Sequence, residues 1–293
     1  MPLSCLNIIK RGKNKSRPPP SCIYVIGTSC TDRSASMGSM GKAVKDGMEV
    51  FLNTQKETAI KENRENNTYW RHVTFDTNKE VVYEGEDNSH GFLVKAVIEP
   101  DTLTPRNMTR LYDTALEELE ILSKKRSELQ NSLPRSMKKL DIKVMGFFTL
   151  LTDGQDNQSS SGSRMKMKKA IEKARKEGIV CTFLGANQDA EYIGPEYGFS
   201  ARNSLTFSAD APVGNDSSNT GIYNALRSAS SNVARACSSG GGDSVGFSGL
   251  QRACSSNHHI NTPKLQRVSN IPNNLNYYSD SDSEDEIMKS LIN

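Results

Sequence analysis

One stretch limits the fold more than any other: Ile142 to Thr152 is almost continuously apolar. A run without polar alternation needs apolar cover on both of its faces, and a mainly parallel sheet between two helical layers provides it. Ile179 to Gly185 is a second such strand. Ile23 to Thr31 is a third, which turns small and polar as it reaches Asp32. Between these runs apolar residues recur at helical spacing. Met40, Val44, Met48, Phe51 and Leu52 mark a helix within Gly38 to Lys61, and Leu111, Ala115, Leu119 and Leu122 mark one from Arg110 to Asn131. A basic helix from Arg164 to Glu177 stops at Gly178, a residue suited to a helix end. Tyr69 to Phe75 and Glu80 to Glu84 are β-rich and separated by a short polar turn, which predicts a hairpin and one antiparallel edge strand. Ser204 to Phe207 reads as a last short strand and Thr220 to Ala236 as a final helix. The alternation predicts a three-layer α/β domain with a mainly parallel central sheet and helices on both faces.

Charge and composition divide the 293 residues into three parts. Residues 1–20 carry Lys10, Arg11, Lys13, Lys15 and Arg17, no acid, and a closing Pro18-Pro19-Pro20, which reads as a flexible, basic, Pro-rich N-terminus. Residues 21–237 hold the ordered domain. Residues 238–293 are rich in Ser, Gly and Asn and place Asp280, Asp282, Glu284, Asp285 and Glu286 within seven positions, the composition of a disordered acidic tail. The net charge of +3 therefore hides two ends of opposite sign, and no basic groove interleaved with aromatics is present, so nucleic acid is not an expected partner. No run approaches the roughly 18 to 20 apolar residues of a membrane span, and no signal peptide is recognised. Cys5, Cys22, Cys30, Cys181, Cys237 and Cys254 are scattered as free thiols in a reducing compartment would be. An intracellular protein is expected, with the sequons at Asn66, Asn107, Asn157 and Asn215 accidental.

Three loops carry candidate chemistry. Asp32-Arg33-Ser34-Ala35-Ser36 follows the opening strand and offers a carboxylate and two hydroxyls at alternate positions. Thr109 opens the long middle helix, and Thr152-Asp153-Gly154-Gln155-Asp156-Asn157 follows the most apolar strand. Loops at the carboxyl ends of parallel strands converge on one crevice. A set of carboxylates, hydroxyls and water suits Mg²⁺ or Mn²⁺, and the lack of His or Cys argues against zinc.

These residues resemble the metal-ion-dependent adhesion site of the von Willebrand factor A (integrin I-like) family, whose pattern is Asp-x-Ser-x-Ser, a distant Thr and a distant Asp. The match is Asp32, Ser34 and Ser36, then Thr109, then Asp153 within Leu-Leu-Thr-Asp-Gly, and it covers roughly residues 21–235. The stretch Thr182 to Ala190 is similar to a subset of these domains common in bacteria, phages and large DNA viruses. The resemblance implies a Rossmann-like sheet and one divalent ion: Mg²⁺, with Mn²⁺ or Ca²⁺ as alternatives. Ser34 and Ser36 would coordinate it directly, and Thr109 directly or through water. Asp32 and Asp153 would act through bound waters or as compensating charge. The remaining position would take an acidic residue of a partner protein, with no catalysis. Two positions depart from the family: Ala35 stands where Gly is common, and Asn107-Met108 stands where Gly-Gly usually precedes the Thr, leaving Thr104 as the alternative ligand.

Other features have plainer readings. Asp113 is expected to be a solvated helix residue and Asp156 a loop acid. Ser36 to Ala43 lacks the first Gly and the hydroxyl after Lys42 that a phosphate-binding loop needs. Cys237, Cys254, His258 and His259 fit no zinc spacing. Ser279, Ser281 and Ser283 lie among acids, where a solubilising tail or acid-directed phosphorylation is the expectation. The functional alternatives are a Mg²⁺-dependent phosphate-ester hydrolase with Asp153 or Asp156 as base, and a structural component with a vestigial metal site.

Overall fold

The computed structural model describes residues 22–139, 142–210, 216–239 and 245–255. The strands are β1 (Cys22–Asp32), β2 (Thr68–Phe75), β3 (Lys79–Tyr83), β4 (Gly91–Phe92), β5 (Lys143–Thr152), β6 (Ile179–Ala186) and β7 (Ser204–Phe207). The helices are α1 (Ala43–Lys61), α2 (Leu111–Ser132), α3 (Arg135–Lys139), α4 (Ser163–Lys176), α5 (Ala190–Glu196), α6 (Gly221–Ser239) and α7 (Gly249–Ser255). They form one seven-stranded sheet in the order β3-β2-β1-β5-β6-β7, with β4 also on β2. The pairs β1–β2, β1–β5, β5–β6 and β6–β7 are parallel, while β3 and β4 add to β2 antiparallel. The mainly parallel sheet with an antiparallel edge is as expected from sequence.

The apolar runs are explained by cover on two faces. Along β5, Met145, Phe147 and Leu151 point into one core, where Met48, Phe51 and Leu52 of α1 and Ile222, Leu226 and Val233 of α6 meet them. Val144, Phe148 and Leu150 point into the other, against Leu111, Leu119 and Leu122 of α2 and Met167 and Ile171 of α4. The helical spacing of these residues puts each helix's apolar stripe on the sheet. Gly27 pairs with Phe147 in register, and the Phe147 ring lies where a Cβ on residue 27 would be, 1.9 Å from that point. The missing side chain on β1 leaves room for this ring, which packs against Phe51 with ring centroids 6.1 Å apart and planes tilted by 58°.

From β1 the chain builds outward through β2 and β3, then returns to the opposite side of β1 with β5. The order reverses between β1 and β5, and in an open parallel sheet the crevice at the carboxyl ends of two such strands is where ligands bind. Thr31 pairs with Leu151, so Asp32 and Thr152 end their strands side by side.

Described structure continues past residue 237. Helix α7 lies in the stretch read as tail, and Ser208 donates its backbone N–H to Ser255 at 3.0 Å while Phe247 donates to Arg202 at 3.0 Å. Arg252 anchors α7 through the Ser204 carbonyl (2.8 Å) and Glu191 (2.6 Å). A seven-residue helix in a Ser/Gly-rich stretch shows too little periodicity to be read, and tertiary partners hold it. The basic N-terminus, His258, His259 and the acidic tail lie outside the described residues. Among the described residues no helix is long and apolar enough to cross a membrane.

Candidate metal centre

The crest of the β1–β5 switch point is built by three loops. Asp32, 1% exposed at the end of β1, accepts the Ser34 backbone N–H on Oδ1 at 2.7 Å and the Thr152 hydroxyl on Oδ2 at 2.6 Å. The first bond folds Asp32-Arg33-Ser34 into a tight local turn and the second ties it to β5. Beyond the turn, Ser34 Oγ lies 3.0 Å from Ser36 Oγ, and Ser36 Oγ donates to Asp153 Oδ1 at 2.8 Å. Asp32, Ser34, Ser36 and Asp153 thus converge, and the last two face outward.

Thr109 arrives from the third loop and is buried. A Cβ on Gly154 would lie 3.8 Å from Ser36 Oγ and 3.9 Å from Thr109 Oγ1, so both hydroxyls border the same bare patch over Gly154. The Thr109 and Asp153 loops are interlocked. Thr109 N–H donates to Asn157 Oδ1 at 2.8 Å, and the Thr109 carbonyl accepts from Asn157 (3.0 Å) and Gln158 (3.2 Å). Thr104, the alternative candidate, is exposed at the end of a 3-10 turn over Pro100–Leu103. The Asn107-Met108 departure is accommodated: Asn107 adopts the left-handed φ of 60°, which Asn tolerates better than most residues, and its carbonyl accepts from Ala35 at 3.1 Å. Met108 turns its side chain outward, 46% exposed.

Asp113 is not the solvated residue expected from sequence. It is buried, accepting Ser160 N–H at 2.9 Å, Ser160 Oγ at 3.0 Å and the Ser163 hydroxyl. Asp156 accepts Leu111 N–H at 2.8 Å and the Ser159 hydroxyl at 2.5 Å, and so caps α2, whose own N-cap Arg110 supplies no side-chain bond. The sequence pattern marks Asp113 as a polar helix position and Asp156 as a loop acid. It carries no sign of which carboxylate meets which helix end.

No protein-family model and no curated protein matches the sequence. Among solved structures, a similar fold occurs in a von Willebrand factor type A from Catenulispora acidiphila: 14% identity, 72% of this chain and 43% of that one, TM-score 0.44. Another is proximal thread matrix protein 1 from the mussel byssus with a zinc-occupied MIDAS motif: 17% identity, 74% and 46% of the two chains, TM-score 0.42. A third is the vWF domain of the type V pili tip protein Mfa5 from Porphyromonas gingivalis: 10% identity, 74% and 96% of the chains, TM-score 0.46. The chain spans less than half the length of the first two. At these identities the likeness concerns the fold alone. The sheet itself is of the Rossmann-like α/β kind, mainly parallel with an antiparallel edge.

The charges at the crest are unbalanced. Burial raises the Asp32 carboxyl from 3.8 to about 6, opposed by the Thr152 and Ser34 bonds and helped by the charge of Asp153. Burial also raises Asp153, with the Ser36 bond opposing. Among the described residues neither carboxylate has an ion-pair partner, whereas Asp76, Glu80 and Glu118 each meet an arginine. The crest offers only hard oxygens, and no group of three or more His, Cys, Asp or Glu residues among the described residues is placed to hold a metal ion. Such a donor set fits a hard divalent cation. Thr152 and Asn157 belong to this centre although the motif does not name them. Their positions flanking Asp153 were the available signal.

Proposed function

We propose that the domain binds one divalent cation at this crest and uses it to hold an acidic residue of a partner protein. One observation carries the reading: two neighbouring, partly or fully buried carboxylates, Asp32 and Asp153, lack a counter-charge at a point where serine hydroxyls converge. Ionised carboxylates withdrawn from water are costly without compensation, and a cation supplies it. Ser34, Ser36 and Thr109 are assigned as direct ligands, with Asp32 and Asp153 acting through water or as charge. Mg²⁺ is the assigned ion on donor hardness. With two carboxylates beside it the centre is near neutral and still accepts one further anion at an open position. The zinc-occupied MIDAS motif of the mussel protein supports a metal at such a crest, while zinc itself suits this all-oxygen donor set less well.

The reading is of a binding module and not an enzyme. Of the two bases a hydrolase would have, Asp156 already spends both oxygens on Leu111, Tyr112 and Ser159. Asp153 accepts from Ser36. Calorimetric titration with Mg²⁺ and Mn²⁺ tests the metal, with binding expected for the wild type and abolished by Asp32→Ala combined with Ser34→Ala. Equal affinity in the double variant overturns the assignment. Partner capture with and without EDTA tests the second half, and capture that ignores EDTA points to a structural role instead.

A further inference from the structure

Arg33 is the first variable position of the Asp-x-Ser-x-Ser motif, yet its side chain is 3% exposed and fully engaged. Nε donates to Asp76 Oδ2 at 3.1 Å, Nη2 to Glu80 Oε2 at 2.5 Å and Nη1 to the Thr102 carbonyl at 3.2 Å. Its backbone is engaged as well: its N–H donates to Phe75 at 2.9 Å and its carbonyl accepts from Arg106 at 2.7 Å. Arg106 meets the same two acids from the other side, through Nε to Asp76 (2.7 Å) and Nη2 to Glu80 (2.8 Å). The Asp76 carbonyl then accepts Arg110 N–H at 2.8 Å. Thr102, Arg106 and Arg110 bracket Thr109 on both sides, so the loop that delivers Thr109 is held at three points by Arg33 and its partner Asp76.

The arrangement also keeps a cation off the metal centre. Arg33 sits between Asp32 and Ser34 in sequence, but Asp76 and Glu80 at the β2–β3 turn take its guanidinium, leaving Asp32 without an ion pair. A buried ion pair is by itself weak evidence of stabilisation, since apolar replacements are often neutral, and its better-attested use is to specify one arrangement. The planar fork of arginine suits that use because it reaches a carboxylate, a second carboxylate and a carbonyl in fixed directions.

We infer that Arg33 is a positioning residue for the metal centre: through Asp76 and Glu80 it sets the 102–110 loop so that Thr109 faces Ser36 across Gly154. The inference rests on the divalent-cation reading and deepens it, by assigning part of the affinity to a residue that touches no metal.

The test is a double-mutant cycle between Arg33→Met and Thr109→Val, with Mn²⁺ affinity read by calorimetry and thermal stability read in EDTA. Arg33→Met should weaken Mn²⁺ binding about tenfold in the wild-type background and less than about twofold in Thr109→Val, because a displaced loop no longer matters once its hydroxyl is gone. Arg33→Lys keeps the charge and loses the fork, so it should also weaken binding. Glu80→Gln, at a half-exposed position, is the variant to use if Arg33→Met does not fold, with about a threefold loss expected that again vanishes in Thr109→Val. Wild-type affinity in Arg33→Met or Glu80→Gln, or an equal loss in both backgrounds, overturns the inference while leaving the metal reading intact. A wild-type protein that binds no Mn²⁺ overturns both.

Discussion

Asp156 caps α2, and Asp113 of α2 binds back to the loop that follows Asp156. Asp156, in the loop leading to α4, accepts Leu111 N–H at 2.8 Å at the start of α2, and Asp113, in the first turn of α2, accepts Ser160 N–H at 2.9 Å in the loop ahead of α4. Asp156 answers unpaired amides and the positive end of the α2 dipole, while Asp113 fixes the loop ahead of α4 through Ser160 and the Ser163 hydroxyl. The exchange fastens the loops that carry Thr109 and Asp153 to one another. Replacing Asp156 by Ala should cost about 1–2 kcal/mol as a lost cap. Asp113→Ala should cost about 2 kcal/mol, since it strands the buried Ser163 hydroxyl and the Ser160 amide. Because the two carboxylates share one junction, denaturant melts of the double variant should show a total below the sum of the two; strict additivity argues that they act independently.

The bare patch over Gly154 makes a prediction that separates access from stability. An added methyl meets Ser36 Oγ and Thr109 Oγ1 at 3.8 and 3.9 Å, ordinary contact distances, and nothing nearer. Gly154→Ala should therefore melt like the wild type and bind Mn²⁺ or its acidic partner several-fold more weakly. Undiminished binding in both titrations places the ligand-accepting side elsewhere.

Gly27 predicts the opposite outcome. A Cβ there would fall inside the Phe147 ring, at 1.9 Å, and Phe147 is fully buried against α1. Gly27→Ala should lower stability by about 1–3 kcal/mol through forced repacking, and Gly27→Val by more. The paired variant Gly27→Ala with Phe147→Leu should recover part of the loss, which thermal melts in EDTA would register.

The pH dependence follows from Asp32. Its folded pKa of about 6 stands above the ordinary 3.8, so the folded metal-free protein holds this proton more tightly than the unfolded chain does. Its contribution to stability is therefore largest below pH 4 and declines as pH rises to 6, by about 3 kcal/mol at roughly 1.4 kcal/mol per unit. Asp113 works in the other direction: burial alone would raise it, but the bonds from Ser163 and Ser160 and the charge of Arg110 hold it below 3.8, and that contribution is lost on acidification. Asp32→Asn isolates the first effect, and its stability profile should lack the decline between pH 4 and 6. If the cation needs Asp32 ionised, apparent Mn²⁺ affinity should fall toward tenfold per unit below pH 6. A flat affinity profile from pH 5 to 7 contradicts that requirement.

Much of this architecture was legible before any coordinates. The apolar runs at Ile142 to Thr152 and Ile179 to Gly185 announced strands covered on both faces, and the hairpin around Asp76 announced the antiparallel edge, because periodicity and turn chemistry are local properties. The short helices α3, α5 and α7 were not legible, since a few residues held by tertiary contacts leave no periodic trace. Among site residues, Asp32, Ser34, Ser36, Thr109 and Asp153 stand out by type and by position at element ends. The roles of Arg33, Asp113 and Thr152 were not legible, because nothing in the chain near them names the distant partners Asp76, Ser160 and Asp32.

The strand that opened the case shows where the division lies. By its own composition, Ile142 to Thr152 determined a two-faced buried strand that ends in a hydroxyl and is followed by the Asp153 carboxylate. Only the tertiary structure decided that this strand lies beside β1 at the switch point, so that Thr152 bonds Asp32 and Asp153 bonds Ser36. Apolar burial is specified residue by residue, whereas a site made of two carboxylates without a counter-charge exists only when distant strand ends are brought into register.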